Sequence, residues 1–182
     1  MVQTRLSEQG GRFEVVPGVV INRSARVELI DYRDYDVDAQ VVVSETGRAE
    51  VAALTVKRRE GGPSVTGAAL RSIPVQPVIW QFAKMEIQWA LGIEAGTEVS
   101  ALGLIPTKDV ERLKKQGPVN ETLEAVAKVY RLAEFVGDAP TKSIEECFGI
   151  SRSTAGAWIG RARSASLISA PIQSEDSGHG EA

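Results

Sequence analysis

The first sixty residues alternate between apolar and polar positions. Phe13 and Val15 alternate with polar neighbours, as do Val27 and Leu29, and residues 41–43 form a short β-branched run. A period of two predicts strands that are buried on one face. Turn residues separate the runs at positions 17–18 and 46–47, and the second turn predicts an antiparallel hairpin. Residues 12–58 are therefore expected to form a small β-meander.

A helical section follows the break at residues 60–63, where two glycines and a proline oppose a continuing strand. Thr66 is the predicted cap of a short helix that contains Leu70. A longer helix is predicted over residues 76–91, with Pro77 in its first turn. Its predicted inward positions are Trp80, Ala83, Ile87, Ala90 and Leu91.

Residues 92–105 lack a clear period and are interpreted as a connector with one short strand, so the domain boundary is placed near residue 100. A short helix is predicted over residues 107–116. Thr107 is its expected cap, and Gly117 follows its last turn.

Three helices are predicted in the last part of the chain. The first covers about residues 121–136, with Leu123, Val126, Tyr130 and Ala133 on one face, and it ends at Gly137. Thr141 is the expected cap of the second helix. The predicted buried face of that second helix consists of Ile144, Cys147 and Phe148.

The second and third helices are separated by three residues with different roles. Gly149 can adopt the left-handed backbone of a sharp turn, Ile150 is apolar, and Ser151 can cap the next helix. The third helix is predicted over residues 152–164. Its expected inward positions are Ala155, Trp158, Ile159 and Ala162, and its outward positions are Arg152, Ser153, Gly156, Ala157, Gly160 and Arg161.

These features match the chemistry of duplex DNA recognition. A capped helix with small outward residues fits the major groove, and arginine, serine and threonine in its first turn can bond base edges or phosphates. Residues 151–167 contain three arginines and no acid. The candidate DNA-contacting residues are Thr141, Lys142, Ser151, Arg152, Ser153, Thr154, Gly156, Ala157, Arg161 and Arg163.

Residues 141–160 resemble the helix-turn-helix of phage repressors, resolvase-type recombinases and related bacterial regulators. The segment GISRSTAGAWIGRAR is especially similar to segments of small DNA-binding proteins from actinobacteria and their phages. The resemblance implies base contacts at Arg152, Ser153, Gly156 and Ala157, phosphate contacts at Thr141 and Ser151, and buried positions at Ile144, Ile150, Ala155 and Trp158. Where that family prefers a small residue, this chain has Glu145, whose carboxylate must point outward or alter the crossing of the helices.

Composition narrows the function classes. The 182 residues are 43% hydrophobic and carry 21 basic and 24 acidic side chains, so a nucleic-acid partner must be bound by a local basic patch. No apolar run reaches the roughly 20 residues of a membrane span, and a cytoplasmic protein is expected. Cys147 is the only cysteine and His179 the only histidine. We therefore expect neither an enzyme nor a bound cofactor or metal.

Two further clusters have plain interpretations. Asp31, Asp34, Asp36 and Asp38 lack the spacing of an EF-hand and are interpreted as a solvated acidic loop. The basic run at residues 57–59 is interpreted as protection of a sheet edge, with a reach to DNA as the alternative.

The sequence thus predicts an α+β protein. An N-terminal antiparallel β-meander with packed helices (1–100) would pair subunits or bind a partner, followed by a C-terminal trihelical helix-turn-helix domain (101–170) and a disordered acidic tail (171–182). The expected function is a homodimeric, sequence-specific transcriptional regulator or phage-type repressor of double-stranded DNA, with any small-molecule effector left open. The alternatives are a phage-packaging or recombination accessory protein with little sequence preference, and a protein-binding adaptor.

Overall fold

The computed structural model describes residues 3–94 and 97–168 and has an α+β fold. Its strands and helices follow in the order β1 (Gln3–Val16), β2 (Val19–Tyr32), β3 (Tyr35–Val43), β4 (Ala49–Arg58), α1 (Gly67–Ser72), α2 (Gln76–Ala90), β5 (Val99–Ser100), a 3₁₀ turn (Ala101–Gly103), β6 (Ile105–Pro106), α3 (Thr107–Gln116), α4 (Asn120–Val136), α5 (Pro140–Phe148) and α6 (Arg152–Ser164). The predicted tail lies outside the described residues.

Strands β1 to β4 form an antiparallel meander in chain order, as the alternation predicts. The predicted hairpin between β3 and β4 is confirmed, with Gly47 at a positive φ of 75°. The hairpin between β2 and β3 was not predicted. Arg33 and Asp34 both adopt left-handed backbone there, which suits a two-residue turn but lacks the asparagine-glycine signal of such turns.

The interpretation of the acidic cluster as a solvated loop is wrong. Asp31, Asp36 and Asp38 belong to the two strands of this hairpin, and only Asp34 lies in the turn. Asp38 is bonded to Arg26 and lies 3.5 Å from the Lys57 ammonium, while Arg59 pairs with Asp31. The Arg26 hydrogen bond holds the pKa of Asp38 below its ordinary value. Basic side chains of β2, of β4 and of the residue after β4 therefore compensate Asp31, Asp36 and Asp38.

One face of the sheet is covered by helices. α2 contacts β2, and α4 contacts β1 and β4. Phe135 of α4 stacks on Phe13 of β1, with ring centroids 6.0 Å apart. The buried side chains of the sheet, α2 and α4 to α6 consequently form one connected hydrophobic cluster.

Helix α2 packs through a face that matches the predicted one only in part: Ala83 and Ile87 are buried as predicted, whereas Trp80, Ala90 and Leu91 are not. Its buried residues are Val78, Ile79, Phe82, Ala83, Glu86 and Ile87. Trp80 is 39% exposed, and its indole N–H donates to Asp138 instead of entering the core. Glu86 is only 1% exposed because its carboxylate accepts hydrogen bonds from the main chain and side chain of Asn22 on β2. A buried polar residue cannot be recognised from hydrophobic periodicity.

Two of the predicted helix caps are confirmed and two are wrong. Thr66 and Ser151 each accept a hydrogen bond from the main-chain N–H three residues later. Thr107 and Thr141 instead lie inside α3 and α5, whose capping positions are Pro106 and Ala139 without a side-chain hydrogen bond. In α5, Pro140 occupies the first helical position, where its fixed φ is favourable and its missing N–H has no partner to lose.

Candidate nucleic-acid interface

The connection between α5 and α6 has the local geometry that the sequence predicts. Gly149 adopts left-handed backbone with φ 56° and ψ 44°, which ends α5. Ser151 is extended, and its hydroxyl accepts from the Thr154 N–H at 3.2 Å. Ile150, half-buried between the two, packs against the core. Three consecutive residues therefore end one helix, turn the chain and begin the next.

The inward face of α6 is also as predicted. Ala155, Trp158, Ile159 and Ala162 are all buried. Trp158 meets Phe148 of α5 edge to face, with ring centroids 5.6 Å apart. Since α4, α5 and α6 contact one another pairwise, this stripe fixes how α6 is rotated about its axis.

The opposite face of α6 is open to solvent. Arg152, Ser153, Gly156, Ala157, Gly160 and Arg161 are exposed. A Cβ added at Gly156 or Gly160 would meet no atom within 4 Å. This face is therefore narrow and free of overhanging side chains, so another surface can approach the helix backbone closely.

Three hydroxyl groups cluster at the start of α6. The Ser151 oxygen lies 2.9 Å from the hydroxyls of both Ser153 and Thr154. Ser151 and Ser153 are exposed and Thr154 is half-buried. The cap thus also orients its two neighbours, which places hydroxyl donors beside the first N–H groups of the helix, where phosphate binding is favourable.

The three arginines of α6 differ in their surroundings. Arg163 donates to the Tyr130 hydroxyl at 2.9 Å and lies over the Tyr130 ring, so α4 holds it. Arg152 and Arg161 form no ion pair with any residue that the structure describes. The charges of Arg152 and Arg161 are consequently available to a partner. The guanidinium of Arg163 is instead held in position by Tyr130.

The start of α5 lies next to Arg152. Thr141, Lys142, Glu145, Glu146 and Arg152 share a cleft of about 380 Å³. The Lys142 ammonium is 3.7 Å from the Glu146 carboxylate, so the charge of this candidate DNA-contacting lysine is partly compensated. Glu145 is half-buried and borders the cleft. An acidic side chain therefore borders the same cleft as the first arginine of α6.

Sequence reasoning missed Lys114 as a part of this interface. Its ammonium donates to the Gly149 carbonyl at 2.7 Å, across 35 positions of the chain. The carbonyls at the end of α5 lack helical partners, and a cation is favourable there. The position of Lys114 in the last turn of α3 indicated only an interaction with its own helix. The contact adds a positive charge beside the turn between α5 and α6.

Comparisons with family models, with curated proteins and with solved structures find no match for this chain. Among the described residues, no helix is long and apolar enough to cross a membrane. That same part of the chain holds no group of three or more histidine, cysteine or acidic side chains placed to bind a metal ion.

Proposed function

We propose that the protein is a sequence-specific DNA-binding regulator that inserts α6 into the major groove as the second helix of a helix-turn-helix. The supporting observation is that α6 buries one stripe and leaves the opposite face, from Arg152 to Arg161, free of acids and of overhanging side chains. A helix in this state offers a cation for guanine and a backbone that can approach the duplex.

Within this proposal, the residues of the interface have distinct roles. Arg152 and Ser153 read base edges, and Gly156 and Ala157 allow close approach. Ser151, Thr154, Lys142 and the main chain at the start of α5 face phosphates. Arg161 and Arg163 lie about two and a half to three turns beyond Arg152 on α6 and contact the backbone of the duplex, and Lys114 adds charge beside the turn.

A homodimer is part of the proposal. One short helix contacts too few base pairs to be selective, so two copies would bind half-sites about 34 Å apart, one helical turn of DNA. Because α6 faces the DNA in this proposal, the subunits would pair through the sheet, whose edge strands are β1 and β4.

One observation favours a second candidate, an accessory protein that binds DNA with little sequence preference. Between its first turn and Arg161, the exposed face of α6 has Gly156, Ala157 and Gly160, none of which has a side chain that can hydrogen-bond a base. Only the first turn then carries direct readout, and phosphate contacts would supply most of the affinity.

Selection of binding sites from random duplexes, followed by anisotropy titrations, tests both candidates. An enriched motif supports the regulator, and binding without enrichment supports the accessory protein. Arg152→Ala is expected to weaken binding to an enriched site by about 1–3 kcal/mol and to relax preference at one position. An unchanged preference would remove Arg152 as a base reader.

Lys57→Ala is the matched control. It removes one positive charge from the sheet face that is turned away from the helices, where Lys57 lies near Asp38. Its DNA affinity should equal that of the wild type. Failure of every duplex to bind at low salt would overturn DNA binding and favour a protein-binding adaptor.

A further inference from the structure

A second cleft lies where the sheet-bound helix α2, the 3₁₀ turn, α4 and α5 meet. Its volume is about 320 Å³, within the range of sites that bind small molecules. It is separate from the exposed face of α6, because none of its lining residues belongs to α6.

The wall of this cleft is mainly apolar. Leu102 from the 3₁₀ turn and the α4 side chains Val129, Leu132, Ala133 and Val136 line it, with Trp80 of α2 at one side. An apolar wall of this size stabilises a ligand by removing hydrocarbon or aromatic surface from water.

One carboxylate provides the polar end of the cleft. One Asp138 oxygen accepts from the Trp80 indole N–H at 2.9 Å, and the other accepts from the Gln76 amide at 3.2 Å. Among the residues that the structure describes, no lysine or arginine lines the cleft. Glu146, the other acid in the lining, lies near Lys142, whereas Asp138 has no ion pair among the residues that the structure describes. The orienting donors hold Asp138 in place and leave its negative charge uncompensated.

The backbone at the wall is strained. Ala101 and Leu102 have φ values of 47° and 54°. These values lie in the left-handed region, which residues other than glycine, asparagine and aspartate rarely adopt. Gly103 follows with φ 99°, and a Cβ there would lie 2.8 Å from the Gln88 side chain. Packing of the turn against α2 therefore maintains the strain, and strained residues of this kind concentrate at binding sites.

We propose that this cleft binds a small molecule with an apolar body and a positively charged amine, and that Asp138 is the partner of the amine. The apolar wall sets the size of the body, and the uncompensated carboxylate selects a cation over a neutral or negative group of the same size. The site does not depend on the proposed DNA binding, since none of the residues proposed to contact DNA lines it and its occupation is measured on the free protein.

Nitrogen-15 NMR of the tryptophan indole groups tests the site, with phenethylamine as the probe. The Trp80 signal, assigned with Trp80→Phe, is expected to shift and saturate with phenethylamine, while the Trp89 and Trp158 signals stay in place. The neutral isostere 2-phenylethanol should bind about tenfold or more weakly, the difference typical of a charge-assisted hydrogen bond. Phenylacetate should not bind. Equal shifts of all three indole signals, or no saturable shift, would overturn the proposal.

Two variants complete the test. Asp138→Asn keeps an acceptor for Trp80 and should remove the preference for phenethylamine over 2-phenylethanol, whereas Glu124→Gln, an exposed change elsewhere on α4, should keep it. Ser143→Phe places an aromatic ring at the rim of the cleft and should abolish binding of both probes with the circular dichroism spectrum intact. An unchanged preference in Asp138→Asn would contradict the role of the carboxylate.

Discussion

The outer face of the sheet and helix α6 differ in whether their positive charges are paired with acids. On the outer face of the sheet, Arg26 and Lys57 pair with Asp38, and Arg59 pairs with Asp31. On α6, Arg152 and Arg161 have no such partners among the described residues. The paired charges are satisfied within the fold, whereas the unpaired ones leave a local positive face on a chain whose net charge is −3. The distribution of charge, and not its total, distinguishes the candidate interface.

The two regions also differ in how their cores are built. The sheet buries mainly small and β-branched side chains, while α5 and α6 are joined by one large aromatic contact between Phe148 and Trp158. The position of α6 therefore depends on a few side chains, and the largest effects are expected there.

Replacing Trp158 tests the dependence of the helices on this contact. Trp158→Ala is expected to lower the free energy of unfolding by about 3–5 kcal/mol, because it empties a buried aromatic site. Trp89→Ala removes the same side chain from a position that is 57% exposed and should cost less than about 1 kcal/mol. Urea titrations followed by circular dichroism measure both. Equal losses would show that α6 is not held by its aromatic core.

The cap of α6 is expected to have a smaller effect. Ser151→Ala should lower the free energy of unfolding by about 1 kcal/mol, because the Thr154 N–H loses its acceptor. Ser151→Asn preserves an acceptor at this position and should retain most of the stability. Thermal denaturation of the two variants provides the comparison, and an asparagine variant as unstable as the alanine variant would argue against capping.

Replacing one unpaired arginine of α6 and one paired arginine of the sheet by alanine tests the comparison of charges directly. Arg161→Ala should reduce the salt dependence of DNA binding by about one counterion and leave Tm unchanged. Arg26→Ala should lower Tm, because Asp38 loses its main partner, and leave the salt dependence unchanged. Salt titrations of binding and thermal melts separate these outcomes. Loss of DNA binding in Arg26→Ala would mean that the sheet face also belongs to the interface.

The smallest predicted effect is on the stability of the protein in acid. The Arg26 hydrogen bond lowers the pKa of Asp38 from its ordinary value of 3.8, so the ionised form contributes stability above that value. The contribution is lost as the pH falls through the lowered pKa of the folded protein. Asp38→Asn should therefore flatten the acid side of a plot of Tm against pH, whereas Glu50→Gln, at an exposed position of β4, should retain its slope.

Much of the candidate interface can be predicted from the sequence because its signals are local. Gly149 and Ser151 act on residues within one turn of the chain, and the inward stripe of α6 follows from helical spacing alone. The same local reasoning failed at Thr141, since a proline and a threonine both favour the first positions of a helix and the proline took precedence. It also failed at Arg33 and Asp34, where a tight turn forms without glycine.

The sequence by itself determined the alternating strands, the helical pattern and the turn chemistry, because each depends on a few neighbouring residues. Only the tertiary structure decided which distant groups meet. Lys114 reaches the end of α5, Trp80 turns out of the core to Asp138, and Glu86 is buried against Asn22. Such contacts depend on the angles at which helices cross the sheet, and these angles follow from the packing of the whole core and not from any short segment.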